Sequence, residues 1–532
     1  MTEMLGTVVV TRRQLVRGMG VGAGVLWAAP WLAACGGEDA EATNLGVGAG
    51  ADGYTTEGVE ANVAQYPLDA GVFETLIRMT PEYGLVPALA TEWSFKEPNT
   101  WRFSLRRNVT FHNGRPFTAE AVKHTFDRIA EQGGGLMKIT EDSTKVVDDH
   151  TVEITPGVEN SRLPEQTVHP SFGILAPATD PADERIGTGP FRFVRYRPRQ
   201  DVVVRRYDDY WGEKARLEEL TFRFIPDPNS RRLALQAGDV AIIHDLPQAA
   251  VEMIRNSGDL KVEQGPVGAY EAVYLNGTDS GHPALRDVGV RRAIGYGIDR
   301  DAIIRAGFEG VAADAQTLVP PQLLGEENVR AIDGYTHDPQ RAQRLLDEAG
   351  WAAADGGARR KGGRELQLSL INGFPDASVH GPVPELLQAQ LREVGIDVEI
   401  VRISDNAAYA DRLNAGRGDL WLEQGGQNNA SPTFFPALLF TTEDVSGSTE
   451  GYHALFSPGQ RYDRVISRAL ATPDPEEAKR LTAQALQILI ADTATVLPLA
   501  GIHGLYATAD DVEGFEPAAA ELHQRYNTVG RS

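Results

Sequence analysis

This sequence predicts an α/β fold, with α+β as the neighbouring alternative, and three observations point to it. Segments in which apolar and polar residues alternate every second position are interleaved with segments of helical spacing, the pattern of helices layered on a sheet. Glycines stand where one kind of segment hands over to the other. Hydrophobic residues make up 42% and charged residues 23% of the 532, an ordinary globular composition, but the length exceeds what one core organises, so two or three lobes are expected.

The first segment stands apart from that body. "TRRQLVRGMG" carries Arg12, Arg13 and Arg17, and an uncharged run follows from Gly18 to Ala34. A basic start, an apolar middle and small residues at the end are the parts of a secretory signal, so residues 1–34 are expected to be removed. Several glycines and Pro30 interrupt the run, which makes a permanent spanning helix the weaker reading. "LAAC", Leu32 to Cys35, resembles the bacterial lipobox, in which the signal is cut before a cysteine that then carries lipid. The paired Arg12 and Arg13 resemble a twin-arginine export signal. Cys35 is the chain's one cysteine, so it has no internal disulfide partner and is expected to serve as a tether. Residues 35–53, rich in glycine and poor in large apolar groups, read as a flexible leash.

Within the body, Trp101, Phe103 and Leu105 alternate with Arg102, Ser104 and Arg106 as a half-buried strand. Asn113-Gly114 signals a tight turn, and Thr118 then stands ready to cap a helix with Val122, Phe126 and Ile129 on one face, stopped by Gly133 to Gly135. "PFRFVRYRPRQDVVV", Pro190 to Val204, is strand-like, and "NSRRLALQAGDVAII" reads as helix, glycine, strand. Asp338 and Pro339 open a helix that Gly350 ends, and Leu387, Leu391 and Val394 share a helical face before Gly395. The chain then resumes as a strand with Ile396, Val398 and Ile400 alternating.

Several chemistries find no support. A formal net charge of −23, more acidic still once the arginines of the signal are gone, argues against nucleic acid and against charge-driven binding to anionic lipid. The histidines form no close pair and there is no CxxC, so no metal site or cofactor is expected. His244-Asp245 reads as a polar strand end. "IGTGPF", Ile186 to Phe191, lacks the lysine and following helix of a phosphate cradle and reads as a turn. No GxSxG nucleophile turn occurs, and no catalytic residue is assigned; the chain is not read as an enzyme.

Six blocks in register carry a resemblance: "LVPALATEWSF" with "TWRFSLRRNVTFHNGRPFTAEAVKHTF", "RIGTGPFRFV", "RRYDDYWGEKARLEELTFRFIPDPNSRRLALQAGDV", "VRRAIGYGIDRDAII", "HDPQRAQRLLDEAGW" and "LLQAQLREVGIDVEI". Together they span the body from about Tyr66 to about Phe515, and it resembles the family 5 solute-binding proteins of peptide and nickel ABC importers. The resemblance implies a two-lobed periplasmic-binding-protein fold, class II-like and of cluster C, with two crossover strands joining the lobes. Lobe I would be residues 54–268 plus 499–532, with an extra subdomain over about 90–205, and lobe II residues 269–498. "EAVYLN", Glu271 to Asn276, and "ATVLPLAG", Ala494 to Gly501, would be the crossovers. It further implies an extracytoplasmic monomer, held to the membrane by lipid, that passes a small solute or oligopeptide to ABC permease subunits. A secreted α/β hydrolase, and a surface sensor or chaperone derived from a binding protein, are the rival readings.

Peptide-binding relatives place an aspartate four residues before a proline to hold the ligand's amino terminus; that position, counted from Pro432, is Asn428. An amide lacks the charge-assisted bond an ammonium prefers. The nickel branch uses an arginine ahead of an Ala-Pro and a tryptophan in the later loop, and those positions are Gly173 and Gly426. What remains is a loop of neutral hydrogen-bonding groups, Gln424, Gln427, Asn428 and Asn429, suited to a polar, uncharged ligand. Tyr66 is expected to face the cleft, and Trp421 either to join it or to turn into the core. His112 reads as structural.

Overall fold

The computed structural model describes residues 44–49 and 71–532, apart from 132–136, 160–161, 178–184, 355–356, 375–379, 404, 443–449 and 520–522. The signal, Cys35, residues 36–43 and 50–53 of the leash, and Tyr66 lie outside the described residues, as does the glycine stop at 133–135. Residues 44–49, read from composition as flexible leash, instead form the strand Asn44–Ala49, because their backbone finds parallel partners in both Glu219–Phe224 and Ile242–His244.

One ten-stranded mixed sheet organises the body. In spatial order it runs Asp397–Arg402, Gln367–Phe374, Leu420–Gly426, Leu260–Leu275, Val496–Ala509, Ile242–His244, Asn44–Ala49, Glu219–Phe224, Asp201–Arg206 and Phe191–Arg197. The two long strands at its centre, Leu260–Leu275 and Val496–Ala509, are antiparallel. The outgoing strand pairs through its second half with Leu420–Gly426. The return strand pairs through its far end with Ile242–His244. Each central strand therefore begins in one half of the sheet and ends in the other, which makes two lobes joined by two crossover strands. Their mutual ladder is interrupted by register shifts between Gln264 and Val267, Val267 and Ala269, and Glu271 and Ala272.

Alternation along the outgoing strand sends its residues into different cores. Tyr270, Ala272 and Tyr274 enter a large cluster that also holds Trp421, Phe440 and Phe456. Val273 and Leu275 enter a second, with Leu420, Leu422, Leu368 and Leu370. Around the far half of the sheet, Phe191, Val202, Leu220 and Phe222 form a third core.

A separate four-stranded sheet holds Ala90–Lys96, Thr100–Leu105, Thr151–Ile154 and Thr144–Asp148 in that spatial order. The strand-like stretch after Pro190 is a hairpin, Phe191–Arg197 with Asp201–Arg206, and it extends the large sheet rather than this small one, because Asp201–Arg206 pairs with Glu219–Phe224.

The local signals behave as their chemistry requires. Asp338 accepts the Arg341 N–H at 2.8 Å and Pro339 occupies the first turn of the helix Pro339–Glu348. Asp227 likewise caps Pro228–Gln236 through Ser230 N–H at 2.7 Å. The stretch from Ile186 packs as a turn. A Cβ at Gly187 would lie 1.9 Å from the Val72 carbonyl oxygen, and one at Gly189 would lie 1.7 Å from that of Gly71. Those glycines permit backbone contact between distant segments. His112 belongs to the same junction, its Nε2 donating to the Gly189 carbonyl at 3.0 Å. Burial holds its pKa down at about 4. His244 ends its strand fully buried, 2.5 Å from the Tyr526 hydroxyl. Among the described residues no helix is long and apolar enough to cross a membrane.

Candidate functional site: a cleft beside the crossover strands

The amide loop leaves the strand Leu420–Gly426 and stays close to the outgoing crossover. Gln427 N–H donates to the Gly268 carbonyl at 2.7 Å. Gly268 must be glycine for that approach, since a Cβ there would fall 1.4 Å from the Ala519 carbonyl oxygen. Two of the four amides are then consumed inside the loop. Gln427 Nε2 donates to the Asn429 carbonyl at 3.0 Å, to Asn429 Oδ1 at 3.2 Å and to the Ser431 carbonyl at 3.0 Å. Asn429 Oδ1 also accepts the Ser431 N–H at 2.9 Å. Both side chains are buried, and their polar groups hold the loop's shape.

Asn428 differs. Its carbonyl accepts from His523 Nε2 at 2.8 Å, while its side-chain Oδ1 is buried with no hydrogen-bond partner among the described residues. Gln424 reaches back across the ladder, its Nε2 donating to Glu271 Oε2 at 3.4 Å. Trp421 lies wholly in the core, its ring edge-on to Tyr409 at 5.4 Å between centroids, because strand alternation points it to the face opposite Gln424. The structure thus brings Gln424, Gln427, Asn428 and Asn429 together in one segment and leaves Trp421 behind it.

Two buried carboxylates flank the strand that carries the loop. Glu271 Oε1 is 2.5 Å from His380 Nδ1, both side chains fully buried. Glu423, on the opposite face, accepts from Tyr452 Oη at 3.0 Å and from Tyr409 Oη. Burial pushes Glu423 up to about 8, against the pull of those two phenols.

The opposite wall comes from residues 162–173 and from both ends of the described chain. Ala430 N–H donates to the Glu165 carbonyl at 3.0 Å, which ties the amide loop to this wall. Glu165 is paired with Arg162 at 2.5 Å, and burial nevertheless raises it to about 7. His169 and His523 are both held low by burial, at about 3 and about 4, so both imidazoles are neutral. Next to His523 lies a pocket lined by Glu74, Arg78, Gly173, Gln524 and Arg525 among others. Glu74 is buried and accepts from Tyr210 Oη at 2.8 Å, Trp211 Nε1 at 2.8 Å and Thr188 Oγ1 at 2.9 Å. Sequence reasoning missed Glu74, Arg78, His523 and Arg525; the described chain's two ends meet here only through the fold. Among the described residues no group of three or more His, Cys, Asp or Glu side chains is placed to hold a metal ion.

With this geometry in view, the chain's relatives are informative. The model of the bacterial extracellular solute-binding proteins, family 5 (middle), matches residues 84–447. The nickel-binding periplasmic protein of Escherichia coli K12 is 26% identical over 476 residues, covering 85% of this chain and 88% of that protein. A probable di/tripeptide-binding protein 5 of Pseudomonas aeruginosa is 29% identical over 471 residues, covering 81% and 84%. Among solved structures, NikA of Brucella suis in complex with Fe(III)-EDTA superposes with a TM-score of 0.80 at 26% identity, covering 92% of this chain and 100% of that one. DppA of Helicobacter pylori in complex with the peptide STSA gives a TM-score of 0.73 at 22% identity, covering 92% and 98%. The two-lobed fold is thus shared with proteins similar along most of their length, and the chain belongs to family 5 of the bacterial extracellular solute-binding proteins.

Proposed function

We propose that this protein is the lipid-anchored receptor of an ABC importer, which captures a polar, oligopeptide-like solute between its lobes and presents it, chemically unchanged, to permease subunits in the membrane. Lobe I is residues 54–268 with 499–532, lobe II is residues 269–498, and Cys35 carries the lipid. The observation that carries the reading is the placement of the amide loop. It is seated on the outgoing crossover through Gly268, and it meets the opposite wall through Glu165 and His523. A solute there touches both lobes. Such a solute favours the closed form only as far as it binds that form better, and about 5.5 kcal/mol of differential affinity moves a population from mostly open to mostly closed.

The relatives are named for nickel and for short peptides. In this chain Gly173 and Gly426 stand where the nickel branch is expected to have arginine and tryptophan, and Asn428 stands where a peptide's ammonium would want a carboxylate. Asn428 and Gln424 are the loop's ligand-facing groups in this reading, with Tyr66 contributed from lobe I. The anchor keeps a monomeric receptor near its permease and raises the effective concentration there.

Native mass spectrometry of protein purified from its own host, joined to small-angle scattering before and after the retained solute is stripped, tests the reading. A retained solute of unaltered mass and a contraction on rebinding are expected. Superimposable scattering curves, or turnover of the solute, would overturn it. Cys35→Ala should release the protein from membranes, and unchanged retention would refute the tether.

A further inference from the structure

We infer that the pocket beside His523 is an oxyanion subsite, in which Arg78 and Arg525 grip an acidic end of the solute, a carboxylate or a phosphate; the inference rests on the receptor reading above and names the solute's charge.

The argument starts from a local excess of positive charge in an acidic chain. The protein carries a formal net charge of −23, yet two guanidinium groups from opposite ends of the sequence line one pocket. Glu74, the one carboxylate among the described residues that line the pocket, has its oxygens engaged elsewhere. Tyr210, Trp211 and Thr188 already donate to its two oxygens. Among the described residues the Arg78 side chain makes neither a hydrogen bond nor an ion pair, while its backbone is held in the short strand Ile77–Met79, opposite Val86 and between two buried neighbours. Arg525 is steadied from behind, its Nε donating to Asn527 Oδ1 at 3.2 Å. Partial burial and the Arg525 charge both depress the pKa of Arg78, and the opposing pull of Tyr210 and Glu74 does not cancel them. His523, neutral in this setting, adds no third charge.

Two forks of N–H donors converging on one pocket match the planar oxygens of a carboxylate or a phosphate, and an anion there relieves the repulsion between the arginines. Gly173 on the pocket wall contributes no side chain to fill the space. The pocket is also continuous with the amide loop, because His523 lines the one and donates to Asn428 of the other. The solute is therefore expected to be bipolar in chemistry, with an acidic end among the arginines and neutral hydrogen-bonding groups toward Asn428.

The test uses the exported protein, immobilised, and a small-molecule extract of the host as probe. The extract is applied untreated, after methyl esterification of carboxylates, and after phosphatase treatment, and retained species are read by mass spectrometry. Wild type should retain a solute that one of the two treatments abolishes, and Arg78→Gln and Arg525→Gln should each lower retention by tenfold or more. Melting temperatures of the stripped variants within a few degrees of wild type show that they fold; if Arg78→Gln melts low, Arg78→Lys replaces it, with partial retention expected. A retained solute that survives both treatments overturns the inference and leaves the receptor reading standing. Retention abolished by a treatment but untouched by either substitution places the anion elsewhere and also overturns it. If wild type retains nothing from the untreated extract, the receptor reading itself fails.

Discussion

The two walls of the cleft use polar groups in opposite ways. In the amide loop Gln427 and Asn429 are turned inward, and their hydrogen bonds close on the loop itself. In the facing pocket two arginines line the space, and the Arg78 side chain makes no hydrogen bond or ion pair among the described residues. A row of amides in a sequence therefore says little about recognition until each donor has been followed to its acceptor. The groups available to a solute are those the fold has left unspent.

That contrast can be broken from its structural side first. Gly268→Ala should have the largest effect, because its Cβ would overlap the Ala519 carbonyl beneath the seat of the loop; a loss of about 3 kcal/mol or more is expected in chemical denaturation. Gln427→Ala takes the Gln427 amide donor from the Asn429 and Ser431 carbonyls and leaves Asn429 Oδ1 with only the Ser431 N–H, and about 2 kcal/mol should be lost in the same measurement. A Gln427→Ala protein as stable as wild type would remove the distinction between the walls.

Protonation sharpens it. His523 has a folded pKa near 4, below its unfolded value, so the stability it contributes is present above about pH 6.5 and is lost as pH falls toward 4. Glu423 has the opposite sign. Its folded pKa is raised to about 8, so its contribution is present below about pH 4.5 and is lost as pH rises through 8. His523→Asn should make stability less acid-sensitive between pH 6.5 and 4, and Glu423→Gln should flatten the decline between 4.5 and 8, each by at most about 1.4 kcal/mol per pH unit. Denaturation midpoints across pH give both slopes. The smallest change in stability is expected for Asn428→Ala, within about 0.5 kcal/mol, because its side-chain oxygen gives up no bond. Its effect should appear in solute affinity instead.

Legibility followed the range of the interactions. The cap at Asp338, the glycine handover at Gly395 and the turn at Asn113-Gly114 were readable because each is decided within a few residues. The direction of Trp421 was open, since a strand's period places a residue on a face without saying which face is the core. The inward bonding of Gln427 depends on Ser431 and Gly268 taking up their positions, and composition does not report that. The pairing of Glu271 with His380 and the meeting of Arg78 with Arg525 are products of topology, and no local pattern announces them.

The interrupted ladder between Leu260–Leu275 and Val496–Ala509 has a mechanical consequence. Two straps lying side by side resist twisting far more than either alone, and the three register shifts between Gln264 and Ala272 gather the irregular backbone of both into one short length. If the proposed receptor closes on a solute, bending confined to that length would carry one half of the molecule along a single arc, so that its partner would meet one repeatable posture.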